Sequence, residues 1–132
     1  IHPWHVIPQP LAEYMDKHEI LPIAYSTLAP IPNWREGSRW NGKPEDMKSG
    51  AMPCEDIANK YQVTVPQLFL KWAIQLGYPV LPKSVKNYRL KENLSLDHFE
   101  ISLDDMNSIS NIAINEQKCL AWSGDFDPLE VD

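Results

Sequence analysis

The chain of 132 residues is of single-domain length, 43% hydrophobic, and carries a formal net charge of −6 with a pI near 5.1. That composition argues against a disordered polypeptide and against a general nucleic-acid binder, which would need a basic face. No apolar run approaches the roughly 20 residues that span a bilayer.

The opening Ile1-His2-Pro3-Trp4-His5 has neither the basic region of a secretory signal nor an initiator Met, so the chain is expected to start after processing or partway through a longer protein. From Gln9 to His18 the pattern predicts a short helix, with Pro10 in its first turn and Leu11, Tyr14 and Met15 on one face. Ile20-Leu21-Pro22-Ile23-Ala24-Tyr25 is a continuous apolar run of strand length, as in a strand buried on both faces, although Pro22 removes one ladder donor. Residues 27–53 form a long irregular stretch broken by Pro30, Pro32, Pro44 and Pro53, with Trp34 and Trp40 set within it. Loops of that length inside a compact domain tend to be functional or disordered, and the two tryptophans favour an ordered cover.

A short helix is expected around Glu55–Tyr61. Thr64 and Gln67 then have the spacing of a capping box, with Pro66 in the first turn. Leu68, Phe69, Trp72, Ala73 and Leu76 give the following helix a wide apolar face, and Gly77 is a natural stop. Tyr78-Pro79-Val80-Leu81 reads as a second short strand, Asn87–Asn93 as a helix, and Ser102 with Asp105 as the capped start of another that turns Met106, Ile109 and Ile112 to one side. Beyond Asn115 periodicity is lost. Apolar strands alternating with helices predict parallel βα units in a barrel or a doubly wound sheet. Two or three such strands cannot close a barrel, so the pattern implies a portion of a larger fold.

The clearest chemical feature is the segment 83–91, Lys-Ser-Val-Lys-Asn-Tyr-Arg-Leu-Lys, with four basic residues in an acidic chain where a strand gives way to a helix. Helix N-terminal amides beside Ser84 and several cations suit an anion, phosphate above all; a solvated basic helix face is the plainer alternative. Tyr25-Ser26 falls at the C-terminal end of a strand, where barrel chemistry gathers. That tyrosine either stacks on a planar ring or caps the core. There is no Gly-x-Gly-x-x-Gly or Walker loop. His2 and His5 lack a third ligand nearby, so no metal site is expected, and no nucleophile triad can be argued. Cys54 and Cys119 form no redox or metal pair, which points to a reducing, cytosolic setting.

His2-Pro3, Ala24-Tyr25-Ser26-Thr27-Leu28, Leu81-Pro82-Lys83-Ser84-Val85 and Arg89-x-x-Glu92-Asn93 occur in one order and at compatible spacings. Together with Trp72-Ala73 and Phe99-Glu100-Ile101-Ser102, they make the whole chain resemble the aldo-keto reductases. The resemblance implies an α/β fold, the C-terminal portion of a (β/α)8 TIM barrel comprising about strands 6–8 with their helices. It implies reduction of an aldehyde or ketone with NADPH, NADH being an allowed substitute, and no metal. Tyr25 is similar to the tyrosine that stacks under the nicotinamide, and Ser26 and Leu28 to residues lining the pyrophosphate. Lys83, Ser84 and Arg89 would hold the adenosine 2′-phosphate, with Glu92 and Asn93 at the adenine. Within the 1–132 domain, the loop 29–53 resembles the segment that covers the cofactor, Trp40 a pocket tryptophan, and 113–132 around Trp122 the variable substrate loop.

Thr27 stands where the family usually has Pro, with a modest change of loop geometry expected. The family's catalytic Asp, Tyr, Lys and His belong to the first four strands, so no catalytic residue is assigned here and the isolated chain is expected to be inactive. A carbonyl compound would be the substrate of the complete enzyme. Unpaired strand edges predict docking of the missing N-terminal barrel half or self-association; neither nucleic acid nor a membrane is an expected partner. The alternatives are a non-catalytic module that binds a nucleotide or protein through the same edge, and a truncated product without function.

Overall fold

The computed structural model describes residues 1–29, 31 and 54–115, with side chains up to residue 112. Five helices appear there: α1 (Gln9–Lys17), α2 (Glu55–Lys60), α3 (Val65–Gln75), α4 (Asn87–Leu94) and α5 (Leu103–Asn115). Each lies within about two residues of its expected position. The reason is visible at their ends. Thr64 and Gln67 form the full capping box: the Thr64 hydroxyl accepts the Gln67 N–H and the Gln67 carboxamide accepts the Thr64 N–H. Ser102 accepts the Asp105 N–H and donates to its carboxylate, which fixes the start of α5.

Three helices stop in the same way. Beyond α3, Gly77 turns left-handed (φ 90°), its N–H bonds to Ile74 O, and the Tyr78 N–H bonds to Ala73 O. The ends of α1 and α2 repeat this geometry, with Glu19 (φ 56°) and Gln62 (φ 57°) in the position glycine prefers.

The core centres on α3. Leu68, Phe69, Leu70, Trp72 and Ala73 are buried, together with Ala24, Cys54, Ala58, Leu96, Phe99, Ile101, Met106 and Ile109. Burial runs almost all round this helix, beyond the one face that periodicity marks. The extra turn of surface is polar: Gln67, Lys71 and Gln75, four residues apart, lie along one side and hold the chain that follows α4. The Gln67 carboxamide donates to Ser95 O at 2.9 Å. Lys71 pairs with Glu100 at 2.7 Å and lies over the Phe99 ring. Gln75 donates to Ile101 O at 2.9 Å and accepts the Ile101 N–H at 2.8 Å, as a neighbouring strand would. Trp72 completes the set by donating to the Ser110 hydroxyl on α5. Lower down, Tyr61 accepts the Ser102 N–H and donates to Asp105, which Lys60 also meets, so α2 is tied to the first turn of α5.

One expectation needs correction, and two exposed faces stand beside it. The runs 20–25 and 78–81 do not form strands among the described residues; they meet at a single parallel bridge, Ala24 with Val80. Ala24 N–H bonds to Pro79 O at 2.8 Å and Leu81 N–H to Ala24 O at 3.3 Å. Pro22 and Pro79 have no N–H to extend the ladder, and a ladder of one rung is no strand. Leu76, counted on the α3 apolar face, is 39% exposed because it lies at the C-cap, beyond the contacts of the core. Finally, α1 buries none of its residues, leaving Leu11 and Tyr14 exposed.

Candidate cofactor-binding edge

The Ala24–Val80 bridge sets the ends of two segments side by side: Tyr25-Ser26 on one and Leu81 to Ser84 on the other. Ala24 is wholly buried against the helical layer, and alternation of side chains turns its neighbour Tyr25 the other way, where it is 70% exposed. Tyr25 is not among the described residues that pack against the core. Ser26 then takes a left-handed conformation (φ 58°), and a turn closed by the Ala29 N–H on Ser26 O follows. Thr27 is buried, with its hydroxyl directed to Ala24 O at 3.5 Å, while Leu28 packs against the core.

On the second segment Lys83 is exposed and Ser84 half-buried. The Ser84 hydroxyl accepts the Lys86 N–H at 3.1 Å, closing the approach to α4. Lys86 is the N-cap of α4 and provides no side-chain cap, so the first-turn N–H groups keep their capacity to bind an anion. Lys86, Arg89 and Lys91 are exposed around them, Glu92 is half-buried, and Asn93 is buried. The edge thus offers an open aromatic face at one end, and open amides with several cations at the other. A ligand carrying both a planar ring and an anionic group complements it.

Of the residues singled out in the sequence, Tyr25, Ser26, Lys83, Ser84 and Arg89 lie along this edge. Leu28 and Asn93 are turned mostly into the protein. Trp40 and Trp122, nearly all of the 29–53 loop and the greater part of 113–132 lie outside the described residues, as does Cys119. Tyr88, which the sequence reading did not single out, accepts a hydrogen bond from the neighbouring Arg89 at 3.1 Å. His2 is buried, with Nδ1 accepting the Trp4 N–H at 3.3 Å. Burial lowers its pKa to about 3, helped by the Ile1 amine and His5, so the ring is neutral near pH 7. No group of three or more His, Cys, Asp or Glu placed to hold a metal occurs among the described residues. Cys54 is a free, buried thiol whose pKa burial pushes up to about 11. No helix among the described residues is long and apolar enough to cross a membrane.

Residues 1–114 match the profile of the Aldo/keto reductase family. The chain belongs to that family. An uncharacterized oxidoreductase of Caenorhabditis elegans is 33% identical over 123 residues, which cover 93% of this chain and 33% of the relative. An NADP-dependent D-sorbitol-6-phosphate dehydrogenase of Malus domestica is 36% identical over 107 residues, covering 77% of this chain and 31% of its own. Among solved structures, MGS-M4, an aldo-keto reductase from a deep-sea metagenome library, superposes with a TM-score of 0.68 at 27% identity, over 100% of this chain and 42% of that one. The structure of a point mutant of Gox0644 in complex with NADPH gives 0.64 at 28%, over 85% and 35%. The chain therefore matches part of the aldo-keto reductase barrel and spans about a third of the length of the curated relatives it matches.

Proposed function

We propose that the chain is the C-terminal portion of an aldo-keto reductase barrel, about strands 6–8, and that its exposed edge holds the adenosine-phosphate end of NADPH. The observation that carries the reading is the pairing of an open Tyr25 ring with an uncapped, cation-rich α4 entrance across one backbone bridge. In the bound state Tyr25 presents a flat face to the nicotinamide, while Ser26 and Leu28 line the pyrophosphate. Lys83, Ser84 and Arg89 meet the 2′-phosphate, and Glu92 with Asn93 the adenine; burial of Asn93 limits it to the rim of that contact. Bound NADPH supplies hydride to a carbonyl carbon in the complete enzyme. The substrate is an aldehyde or ketone enclosed by the segments carrying Trp40 and Trp122, and the setting is the cytosol. NADP-dependence in a relative's name, and NADPH in a related crystal structure, support the choice of cofactor.

The 132 residues alone have no reductase activity in this reading, because no general acid for the carbonyl oxygen is assigned to them. The exposed Leu21, Ile23 and Leu81 flank the bridge and would be covered by the remainder of a barrel or, without it, by another copy.

Calorimetric titration of NADPH and NADH into the purified chain and its Lys83→Ala/Arg89→Ala variant tests the cofactor assignment. Saturable binding that favours NADPH in the parent chain and loses that preference in the variant is expected, the two cations together contributing about 1–3 kcal/mol. A folded chain that takes up neither cofactor, or favours neither, rules the assignment out.

A further inference from the structure

Tyr88 has no part in the cofactor assignment above, yet it is attached to the residue on which phosphate recognition depends. The Arg89 Nε–H donates to its hydroxyl at 3.1 Å, and the guanidinium carbon lies 5.7 Å from the centre of its ring. Both residues belong to the first turn of α4, where the N-cap Lys86 brings no side-chain cap. A guanidinium carries five N–H donors in a planar fork. With Nε engaged by the phenol, the four N–H groups on the two Nη atoms remain, and that end of the fork matches two oxygens of a phosphomonoester.

An arginine side chain gives up much of its rotamer freedom when it docks an anion. An arginine already tethered to Tyr88 has given up part of that freedom beforehand, so less is lost on binding. The tether is a neutral hydroxyl, which leaves the positive charge of Arg89 undiminished, whereas a carboxylate in the same place would compete with the ligand. Tyr88 is 56% exposed and absent from the core, so its contribution to the fold is small.

We infer that Tyr88 is a positioning residue for phosphomonoester recognition: its hydroxyl holds the Arg89 fork ready at the start of α4 and thereby sets the preference for a 2′-phosphorylated adenosine ligand over the unphosphorylated one. This rests on the cofactor reading given above.

The test uses the 132-residue chain, the probes adenosine 2′,5′-bisphosphate and 5′-AMP, and calorimetry at fixed low ionic strength. Tyr88→Phe keeps the ring and deletes the bond. The preference for the bisphosphate falls about three- to tenfold, the loss of one net hydrogen bond, while AMP affinity and melting temperature stay put. In an Arg89→Ala background, adding Tyr88→Phe changes the preference no further. If Tyr88→Phe retains the full preference while Arg89→Ala loses it, the positioning role is wrong and the cofactor reading stands. Equal weakening of both probes with a lowered melting temperature shows a structural role and also overturns it. A parent chain that does not prefer the bisphosphate removes the cofactor reading and this inference together.

Discussion

Lys71 on α3 and Lys83 ahead of α4 are the same residue put to opposite uses. Lys71 is 6% exposed, and its ammonium sits 2.7 Å from Glu100 and 5.7 Å from the centre of the Phe99 ring. Lys83 stands in solvent. The contrast extends to their surroundings. Around α3 each polar side chain has been spent internally: Gln67 on Ser95, Gln75 on Ile101, Trp72 on Ser110. Around α4 the lysines are exposed, the N-cap adds no side-chain cap and, among the described residues, Arg89 is bonded to its neighbour Tyr88. Satisfied polar groups make a scaffold, and the exposed ones around α4 are those the proposed cofactor site draws on. Residue type alone does not distinguish the two.

If α3 is the scaffold, damage there should exceed anything done at the edge. Trp72→Ala removes the largest fully buried side chain among the described residues and an indole hydrogen bond. It should cost about 3–5 kcal/mol and abolish a cooperative thermal transition; retention of that transition would show that the core does not depend on α3. Gln75→Ala strands the Ile101 N–H and C=O, which the carboxamide serves together. A loss of about 1–3 kcal/mol in urea unfolding is expected, accompanied by faster hydrogen exchange at the Ile101 amide. A change under half of one kcal/mol would mean that water replaces the clamp. The smallest effect runs in the other direction. Gln62 ends α2 in a left-handed conformation, so Gln62→Gly relieves strain and should stabilise the chain by up to about 1 kcal/mol. A lower melting temperature for that variant would show that the greater freedom of glycine in the unfolded chain outweighs the relief.

The helices were legible because their signals are local. Thr64 with Gln67, Ser102 with Asp105, and Gly77 each act within four residues of chain. The strands were not, since apolar runs such as Ile20–Tyr25 register the capacity to pair but not the length of pairing that neighbours permit. Here the pairing comes to one bridge between residues far apart in the chain, and the exposed Leu21 and Ile23 mark the side on which it stops. The same limit hides the clamps, because Lys71 and Glu100 lie 29 residues apart and no spacing rule joins them. At the edge, the basic segment and Tyr25 could be picked out from charge, position and resemblance. The exposure of Tyr25, the inward turn of Leu28 and Asn93, and the tie between Tyr88 and Arg89 are properties of packing. Family resemblance named the edge, and geometry showed which of its residues face outward.

Ser26 sits with φ at 58°, a conformation that L-residues with branched side chains scarcely tolerate. Variation at this position is therefore filtered twice, first by the backbone and only afterwards by any ligand. A library of replacements at position 26 separates the two filters: Gly and Asn fit the turn without supplying a hydroxyl, while Val and Ile fail whatever is bound. Folding without ligand should rank the variants by backbone tolerance alone. Any reordering once ligand is added isolates what the serine oxygen contributes.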